Sequence, residues 1–188
     1  MRYRIEFGRS DANRLKAQKF RQKVFRDSDN GLDEDKFDHI SDHFLIFDKN
    51  SGDKLVLVFR SRTFSSMKEI LRSYSAQYYD LTMLTNLPFT PMEIGRLCID
   101  KRASDPFLLL SAFKYLVSII SSNQSDFIFG CTSFVGADNP RHLVSLSSLE
   151  KNQIADSKFL IKKKSPKTLN IKEEIVSRDR DKTTKSFL

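Results

Sequence analysis

The sequence predicts an α/β domain, a class in which helices pack on the faces of a sheet. Three observations support this prediction. Short apolar runs with the two-residue period of a strand alternate with longer runs that carry a helical apolar face. The 188 residues fit one domain, because single domains have roughly 100–200 residues. The segment from Met92 to Cys131 has the order strand, helix, strand, which predicts a right-handed parallel crossover.

The N-terminal part of the chain predicts a strand and a helix followed by a loop. Tyr3–Phe7 alternates polar and apolar side chains, as a half-buried strand does. Ser10 and Asp11 suit the N-terminus of a helix that continues to about Phe25. The polar, acidic composition of Asp27–Asp38 then indicates a loop.

The middle of the chain predicts a hairpin, a helix and a further strand. His43–Phe47 and Lys54–Phe59 are apolar runs on either side of a turn-forming stretch, which is typical of a hairpin. Ser65–Ser75 predicts a helix, Tyr78–Pro91 a mixed segment interrupted by prolines, and Met92–Asp100 a strand.

The remaining elements continue the alternation of helices and strands. Pro106 suits the first turn of a helix, and Phe107–Ser121 gives this helix a wide apolar face. Asp126–Cys131 predicts a buried strand, Asn139–Lys151 a helix and Phe159–Ile161 a short strand.

The distribution of charge argues against nucleic-acid binding by the first 160 residues. The whole chain carries a net +8, but residues 161–188 contain nine Lys or Arg and four Asp or Glu. The C-terminal end therefore holds +5, and the first 160 residues hold only +3. We assign residues 1–165 to one domain and residues 166–188 to a basic tail, which we expect to be disordered because it is charged and poor in apolar residues.

Cysteine usage and hydropathy indicate a soluble protein of the cytoplasm. Cys98 and Cys131 are the only cysteines and lie in apolar runs, so we expect packing groups in a reducing compartment rather than a disulfide. No Cys and His spacing suits zinc, and we predict no metal site. No stretch approaches the ~20 apolar residues of a membrane span, and the N-terminus lacks the apolar core of a signal peptide.

Four segments occur in the order found in one enzyme family. Met92–Asp100 reads Met-Glu-Ile-Gly-Arg-Leu-Cys-Ile-Asp, and residues 129–136 read Phe-Gly-Cys-Thr-Ser-Phe-Val-Gly. The other matching segments are Arg21-x-x-x-Phe25 with Asp35-Lys36-Phe37-Asp38, and Arg72–Leu81. Over roughly residues 3–150 the chain resembles the ornithine acyl-carrier-protein N-acyltransferases, which are related in fold to acyl-homoserine-lactone synthases.

This resemblance implies a GNAT-like (acyl-CoA N-acyltransferase) fold, with a mixed central sheet flanked by helices on both faces. It also implies an enzyme of bacterial ornithine lipid biosynthesis, an L-ornithine N(alpha)-acyltransferase that transfers a 3-hydroxyacyl group from acyl carrier protein and gives lyso-ornithine lipid. The chain departs from the family where relatives often read Gly-Thr-Asp, because residues 136–139 here read Gly-Ala-Asp-Asn. That difference concerns acyl-chain preference more than the reaction.

Two residues of the Met92–Asp100 segment are the catalytic candidates. The protonated α-amine of ornithine must lose a proton before it attacks a thioester, and Glu93 is the candidate base, acting directly or through one water. A carboxylate that simply pairs with an arginine is the alternative. Arg96 points to the opposite face in a regular strand, so we expect a β-bulge at Gly95 that turns both side chains to one cleft. Arg96 then binds a carboxylate or orders the site, and a structural salt bridge to the acidic loop is the alternative.

The candidates for binding ornithine are arginines and aspartates. Its carboxylate suits arginine, which makes paired hydrogen bonds, and its side-chain amine suits an acid. The arginine candidates are Arg21 and Arg60 beside Arg96, and the acidic candidates are Asp35, Asp38 and Asp42. A solvated turn is the alternative reading of the acidic loop.

The resemblance adds Phe25, Cys131 and Ser133 as substrate-binding positions. We interpret Cys131 as packing under the path of the phosphopantetheine arm. No His or other base is marked for this thiol, so we predict direct transfer without a cysteine intermediate.

The acyl donor is indicated by a missing motif. Relatives that use acetyl-CoA carry a glycine-rich loop before a helix, and its amides hold the pyrophosphate. Residues 101–106 contain no glycine, so we expect no permanently bound cofactor and a donor carried on the phosphopantetheine of acyl carrier protein. The basic residues available to this acidic partner are Lys101, Arg102, Lys114 and Lys151.

Two rival functions stay open on the sequence. One is a different amine acceptor, with acyl-homoserine-lactone-type synthesis as the sharpest version. The other is a non-catalytic binding module that uses the basic end of the chain, and it predicts salt-sensitive binding to nucleic acid. That end, including lysines 162–164, can instead rest on anionic lipid. We expect a cytoplasmic protein with peripheral contact at the cytoplasmic face of the inner membrane and no nucleic-acid partner.

Overall fold

The computed structural model describes residues 2–103, 105–132, 142, 146, 148, 156–159 and 161–164. Among these residues no helix is both long and apolar enough to cross a lipid bilayer. The predictions for Ser133 and for the tail at 166–188 fall outside this description, and so does the proposed domain boundary. Of the helix predicted at Asn139–Lys151, the described residues are helical. They are His142, Leu146 and Ser148.

Strands and helices alternate along the described chain, as the sequence predicts. The strands are β1 (Tyr3–Gly8), β2 (Asp42–Asp48), β3 (Lys54–Thr63), β4 (Tyr79–Asp80), β5 (Pro91–Ile99), β6 (Phe127–Phe129) and β7 (Lys162–Lys163). The long helices are α1 (Asp11–Arg26), capped by Ser10 as predicted, and α2 (Pro106–Ser122).

A mixed five-stranded sheet in the order β1-β2-β3-β5-β6 forms the centre of the fold. β1, β2, β3 and β5 pair in antiparallel fashion, and β6 runs parallel to β5. The predicted hairpin and the parallel connection through α2 are therefore confirmed. The handedness of that connection stays a prediction.

The two long helices cover opposite faces of the sheet. Neighbouring residues of a strand point to opposite sides, and β2 uses both sides. Leu45 packs in one cluster with Ala17 of α1. Phe44 and Ile46 pack in another cluster with Leu108 of α2. The predicted arrangement of a mixed sheet between helices is confirmed.

The helix predicted at Ser65–Ser75 is wrong in type. The chain forms a 3-10 turn at Met67–Arg72 and a second one at Ser75–Gln77. Met67 and Ile70 are both buried, and their spacing of three suits the three-residue period of a 3-10 helix. Tertiary burial of this pair therefore overrides the α-helical interpretation.

Two predicted strands differ from the structure. The predicted buried strand at Asp126–Cys131 shortens to β6, where Ile128 is 45% exposed, because β6 is the last strand of the sheet in the described chain. The predicted strand at Phe159–Ile161 is wrong. Ser157–Phe159 forms a 3-10 turn, and the lysines of β7 pair with β4. Part of the basic stretch thus belongs to the folded domain.

The bulge predicted in β5 is present. Val58 pairs with Cys98 while Arg60 pairs with Gly95, so one residue of β3 faces two residues of β5. Arg96, rather than Gly95, adopts the left-handed conformation with φ 55°. A non-glycine residue in this region is uncommon and costs free energy, so the surrounding contacts must hold Arg96 in place.

Candidate active site

The carboxylate of Glu93 is held by the turn at residues 74–75. Its Oε1 accepts hydrogen bonds from the Ser75 amide at 2.7 Å and from the Ser75 hydroxyl at 2.6 Å. Its Oε2 accepts one from the Tyr74 amide at 3.0 Å. An ionised carboxylate only accepts hydrogen bonds, so three donors suit the charged form. Arg62 lies opposite Glu93 on β3 and interacts with it electrostatically, while the hydrogen bonds of the Glu93 carboxylate come from Tyr74 and Ser75.

An apolar cavity of about 440 Å³ lies beside this carboxylate. Ser75 and Cys131 form part of its wall, and Cys131 Sγ lies 3.4 Å from Ser75 Oγ. Apolar side chains make up most of the remaining wall: Leu81, Leu84, Phe127, Phe129, Phe159 and Ile161. Glu93 is 7% exposed and reaches the cavity through the Ser75 hydroxyl rather than directly.

The cavity lies where β5 and β6 stop pairing. Residues 91–93 of β5 pair with residues 127–129 of β6, and beyond them the bulge bends β5. At Gly130 the two backbones approach so closely that a Cβ atom would lie 2.0 Å from the Ile94 carbonyl oxygen. Glycine is therefore required at the point where the strands begin to separate.

A charge cluster lies on the other side of the bulge and joins α1, the acidic loop, β3 and β5. Its members are Arg21, Asp33, Asp35, Asp38, Arg60 and Arg96. Arg21 contacts Asp38 at 2.7 Å and Asp33 at 3.2 Å. Arg60 contacts Asp35 at 2.6 Å and Asp38 at 2.7 Å. Arg96 contacts Asp35 at 2.9 Å, so three arginines balance three aspartates.

Burial and charge pairing act in opposite directions on the pKa values in the charge cluster. Burial alone would raise the pKa of Asp38, but Arg21, Gln18 and Arg60 together hold this pKa well below its usual range. Burial also acts to raise the pKa of Asp35, but Arg60, Arg96 and the Phe37 amide together lower this pKa. The pKa of Arg60 is raised, because its aspartate partners overcome burial. These groups are therefore charged at neutral pH.

This geometry gives structural roles to several predicted substrate-binding residues. Arg21 is 1% exposed, Asp38 is 0% exposed and Arg60 is 4% exposed. Their polar atoms face one another, which favours a structural role, and the contact of these three residues with ornithine stays a prediction. The reading of the acidic loop as a solvated turn holds for residues 29–32, which are exposed, but not for Asp33 and Asp38, which are buried.

Of the other predicted residues, Cys131 alone lines the apolar cavity among those that the structure describes. Burial raises the pKa of Cys131, and the neutral thiol is a weak nucleophile. Phe25 is 46% exposed at the end of α1, and Asp42 pairs with Arg9 at 3.3 Å. Neither contributes to the cavity wall. Ser133 lies outside the described residues.

Arg96 is the arginine of the charge cluster that keeps an exposed edge. Its side chain is 23% exposed, and its buried Nε has no hydrogen-bond partner in the described chain. Its guanidinium lies 5.4 Å from the centre of the Tyr74 ring, whose own amide binds Glu93. Glu93 and Arg96 thus both contact Tyr74, and the prediction that the bulge turns both side chains to one cleft stays a prediction. The predicted salt bridge to the acidic loop is also present, through Asp35.

A second, polar cavity of about 400 Å³ lies at the N-terminus of α2. Asp105 caps this helix, since its Oδ1 accepts a hydrogen bond from the Phe107 amide at 2.9 Å. Its Oδ2 contacts Arg2 at 2.5 Å. Asp48 and Asp100 also line the cavity. A helix N-terminus attracts anions, and here a carboxylate of the chain itself occupies that position.

Sequence reasoning missed three participants. Asp33 is buried against Arg21, Gln18 donates to Asp38 at 3.1 Å, and Ser75 binds Glu93. Asp33 and Asp35 are two residues apart in the acidic loop. The repeated aspartates of this loop were a usable sequence signal for a charge cluster. Ser75 lies in the family-like segment Arg72–Leu81, but its role becomes evident only when its hydroxyl is seen to donate to Glu93.

Curated relatives from three bacteria are named L-ornithine N(alpha)-acyltransferase. The Rhodobacter capsulatus protein is 30% identical over 72% of this chain and 58% of its own length. The Brucella abortus protein is 29% identical over 64% and 45%. The Agrobacterium fabrum protein is 28% identical over 85% and 53%. The chain therefore spans about half the length of the curated relatives it matches.

Solved structures share the fold. FeeM, an N-acyl amino acid synthase from uncultured soil microbes, matches with a TM-score of 0.53 and 15% identity over 79% of this chain and 77% of that chain. The AHL synthase LasI matches with a TM-score of 0.51 and 14% identity over 79% and 76%. At these identities the likeness shows the fold alone.

The family assignment rests on the segment that builds the site. The acetyltransferase (GNAT) domain pattern matches residues 15–110, just over half of the chain. The matched segment contains the acidic loop, the hairpin, Glu93 and the bulge in β5. The chain belongs to the GNAT acetyltransferase family.

Proposed function

We propose that this protein is an N-acyltransferase that moves a 3-hydroxyacyl group from acyl carrier protein to the α-amine of L-ornithine and so gives lyso-ornithine lipid. The observation that carries the proposal is the apolar cavity whose wall connects, through one hydroxyl, to the carboxylate of Glu93. The names of the curated relatives support the choice of ornithine as acceptor.

The apolar cavity suits the acyl chain of the donor. Ligand pockets have volumes of about 300–1,000 Å³ and are mainly apolar, with a few polar groups that orient the ligand. The cavity here, at about 440 Å³, has phenylalanine and leucine walls. Its polar corner is formed by Ser75 and Cys131. An acyl chain that lies along the apolar wall places its thioester at this corner.

Glu93 serves as the base of the transfer. The protonated amine first loses one proton, which Glu93 passes to water. The neutral nitrogen attacks the thioester carbonyl carbon, the N–C bond forms, the C–S bond breaks, and the second proton lost by the nitrogen goes to the leaving thiolate. The partly exposed guanidinium of Arg96 suits the carboxylate of ornithine, because guanidinium and carboxylate form charge-assisted hydrogen bonds.

The donor that fits this chain carries phosphopantetheine without the pyrophosphate of coenzyme A. Asp105 places a negative charge at the N-terminus of α2, where a pyrophosphate would otherwise bind. Lys101 and Arg102 adjoin this helix start and are exposed, so they suit the acidic surface of a carrier protein. No cofactor needs to stay bound between turnovers. The lipid product is amphiphilic, so we place the reaction at the cytoplasmic face of the membrane.

The proposal is tested by incubating the full-length protein with 3-hydroxyacyl carrier protein and a panel of amines, with the product followed by mass spectrometry. We expect N-acyl-ornithine from the wild type and a large loss from Glu93→Gln. Glu69→Gln is the matched control, because Glu69 lies on the neighbouring 3-10 turn and accepts hydrogen bonds from the amide and side chain of Ser65. Turnover with S-adenosylmethionine but not with ornithine indicates the homoserine-lactone type of reaction. No turnover with any amine indicates a binding module.

A further inference from the structure

The carboxylate of Glu93 is shielded from the apolar cavity. Both of its oxygens already accept hydrogen bonds from Tyr74 and Ser75. Ser75 and Cys131 line the cavity, and Glu93 does not contribute to its wall. An amine in the cavity therefore meets another group before it meets the carboxylate.

The Ser75 hydroxyl lies between the Glu93 carboxylate and the apolar cavity. Its Oγ donates to Glu93 Oε1 at 2.6 Å, a distance typical of strong hydrogen bonds between a hydroxyl and a charged oxygen. The same oxygen accepts a hydrogen bond from Cys131 Sγ at 3.4 Å on the cavity side, which uses one of its two acceptor positions. A hydroxyl donates one hydrogen bond and accepts two. Ser75 Oγ can therefore accept a hydrogen bond from an amine while it donates to Glu93.

We propose that Ser75 is the proton relay of this site and the residue that touches the acceptor amine. This inference rests on the proposed function. The amine enters as an ammonium ion, and its first proton passes through Ser75 Oγ to Glu93 and from there to water. As the neutral nitrogen then bonds to the thioester carbon, its second proton passes to Ser75 Oγ, and the hydroxyl proton passes to Glu93. When the C–S bond breaks, Glu93 returns the proton through Ser75 to the leaving thiolate. Serine and glutamate are then restored, and no other reactant is needed.

The neighbouring groups are less suited to this role. Burial raises the pKa of the Tyr74 phenol to about 12, and this hydroxyl lies near Tyr78 rather than Glu93. Burial also raises the pKa of the Cys131 thiol, and its sulfur reaches Glu93 only through Ser75 Oγ. In the described part of the site, Ser75 is the hydroxyl that joins the cavity to the carboxylate.

The test compares three variants of the full-length protein in the ornithine assay. Ser75→Ala is expected to lower kcat by about 10²–10⁴-fold, the usual contribution of a positioned proton-transfer group, with little change in KM for the acyl carrier. Ser75→Thr keeps a hydroxyl and is expected to recover most of the activity. Ser73→Ala is the matched control, because Ser73 lies in the same turn and its Oγ accepts from the Ala76 amide, with no hydrogen bond to Glu93 among the described residues. Its kcat is expected to stay within a few-fold of wild type.

The pH dependence separates a relay from a structural role. Without the hydroxyl, the enzyme depends on amine that arrives already deprotonated. The ratio of the Ser75→Ala rate to the wild-type rate is therefore expected to rise between about pH 6 and about pH 9, as the amine loses its proton in solution. A purely structural defect leaves this ratio flat. Melting temperatures of all variants check that the fold persists.

The possible results are distinct. A wild-type protein that acylates no amine contradicts the proposed function. Given an active wild type, the relay is overturned if Ser75→Ala retains full kcat, if Ser75→Thr is as inactive as Ser75→Ala, or if the rate ratio does not change with pH. A proton inventory of the wild type in mixed light and heavy water needs no variant. A curved inventory supports two protons in flight, and a linear one overturns the relay.

Discussion

The substitution Asp38→Asn tests whether the charge cluster holds the domain together. The Asp38 carboxylate is fully buried and accepts hydrogen bonds from Arg21 and Arg60, both at 2.7 Å, and from Gln18 at 3.1 Å. Asparagine keeps the shape of the side chain but removes its charge. Its amide group also points two donors at arginines that are donors themselves.

The expected cost follows from the burial of this site. Removing one partner of a buried ion pair destabilises a protein by about 3–5 kcal/mol, because the remaining charge loses its compensation in a medium of low dielectric constant. For a domain of roughly this size each kcal/mol shifts the melting temperature by about 2–4 °C. We therefore expect Asp38→Asn to lower the melting temperature by about 6–20 °C.

Urea titration at neutral pH, with circular dichroism as the readout, measures the free energy of unfolding of Asp38→Asn and of the wild type. Asp42→Asn is the matched control, since Asp42 also pairs with an arginine but its side chain is 30% exposed. Surface pairs contribute about 0–1 kcal/mol. If the two variants differ by less than about 1 kcal/mol, the charge cluster is not a buried electrostatic support, and our account of these residues is wrong.

Three further predictions concern the strand junction, the cavity and acid stability. Gly130→Ala is expected to lower both melting temperature and activity, with a cost of at least about 1–3 kcal/mol, because its Cβ would lie 2.0 Å from the Ile94 carbonyl oxygen. Gly95→Ala, where a Cβ meets no atom within 4 Å, is the control, and equal melting of both variants contradicts the close approach. Leu84→Trp narrows the apolar cavity and is expected to shift the substrate preference to shorter acyl chains, measured with competing acyl carrier proteins. Met83→Trp is the control, because Met83 is 63% exposed, and its acyl-chain preference is expected to stay unchanged. An unchanged preference in Leu84→Trp refutes the assignment of this cavity to the acyl chain. Carboxyl pKa values in the charge cluster are lowered on folding, so the stability they give is present above the unfolded value of about 3.9 and is lost as pH falls below it. Urea midpoints at about pH 7 and about pH 3 check this, and equal midpoints contradict it.

Local patterns were sufficient to predict most of the fold. Alternation at Tyr3–Phe7, the cap at Ser10 and the turn between the hairpin strands each depend on neighbours in sequence, and all three are confirmed. The bulge was predictable for a different reason. Glu93 and Arg96 are three residues apart and need a common cleft, which a regular strand cannot provide.

Features that depend on distant partners were not predictable. The turn at Ser75–Gln77 begins where the Glu93 carboxylate accepts the amides of residues 74 and 75, and those groups are 18 or 19 residues apart in sequence. The pairing of β7 with β4 joins Lys163 to Tyr79. Neither contact leaves a periodic signal, because the partner is chosen by the folded sheet.

The function of the charge cluster was not predictable from the sequence for the same reason. Arginine and aspartate suit an amino-acid substrate, and they suit each other equally well. Sequence gives the charges but not their mutual distances. Burial favours mutual pairing, since Arg21 and Asp38 satisfy one another away from solvent.

The bulge in β5 explains why the same short strand serves both stability and chemistry. Arg96 is held in the left-handed conformation, and its contact with Asp35 at 2.9 Å ties the bulge to the charge cluster. Glu93, on the near side of the bulge, is tied to the turn at residues 74–75 and through Ser75 to the apolar cavity. A weakened charge cluster must therefore alter the position of Arg96 before it alters the cavity wall. A substitution that weakens the charge cluster without unfolding the domain should therefore impair recognition of the acceptor carboxylate. We expect a raised KM for ornithine, while the KM for the acyl carrier stays near its wild-type value.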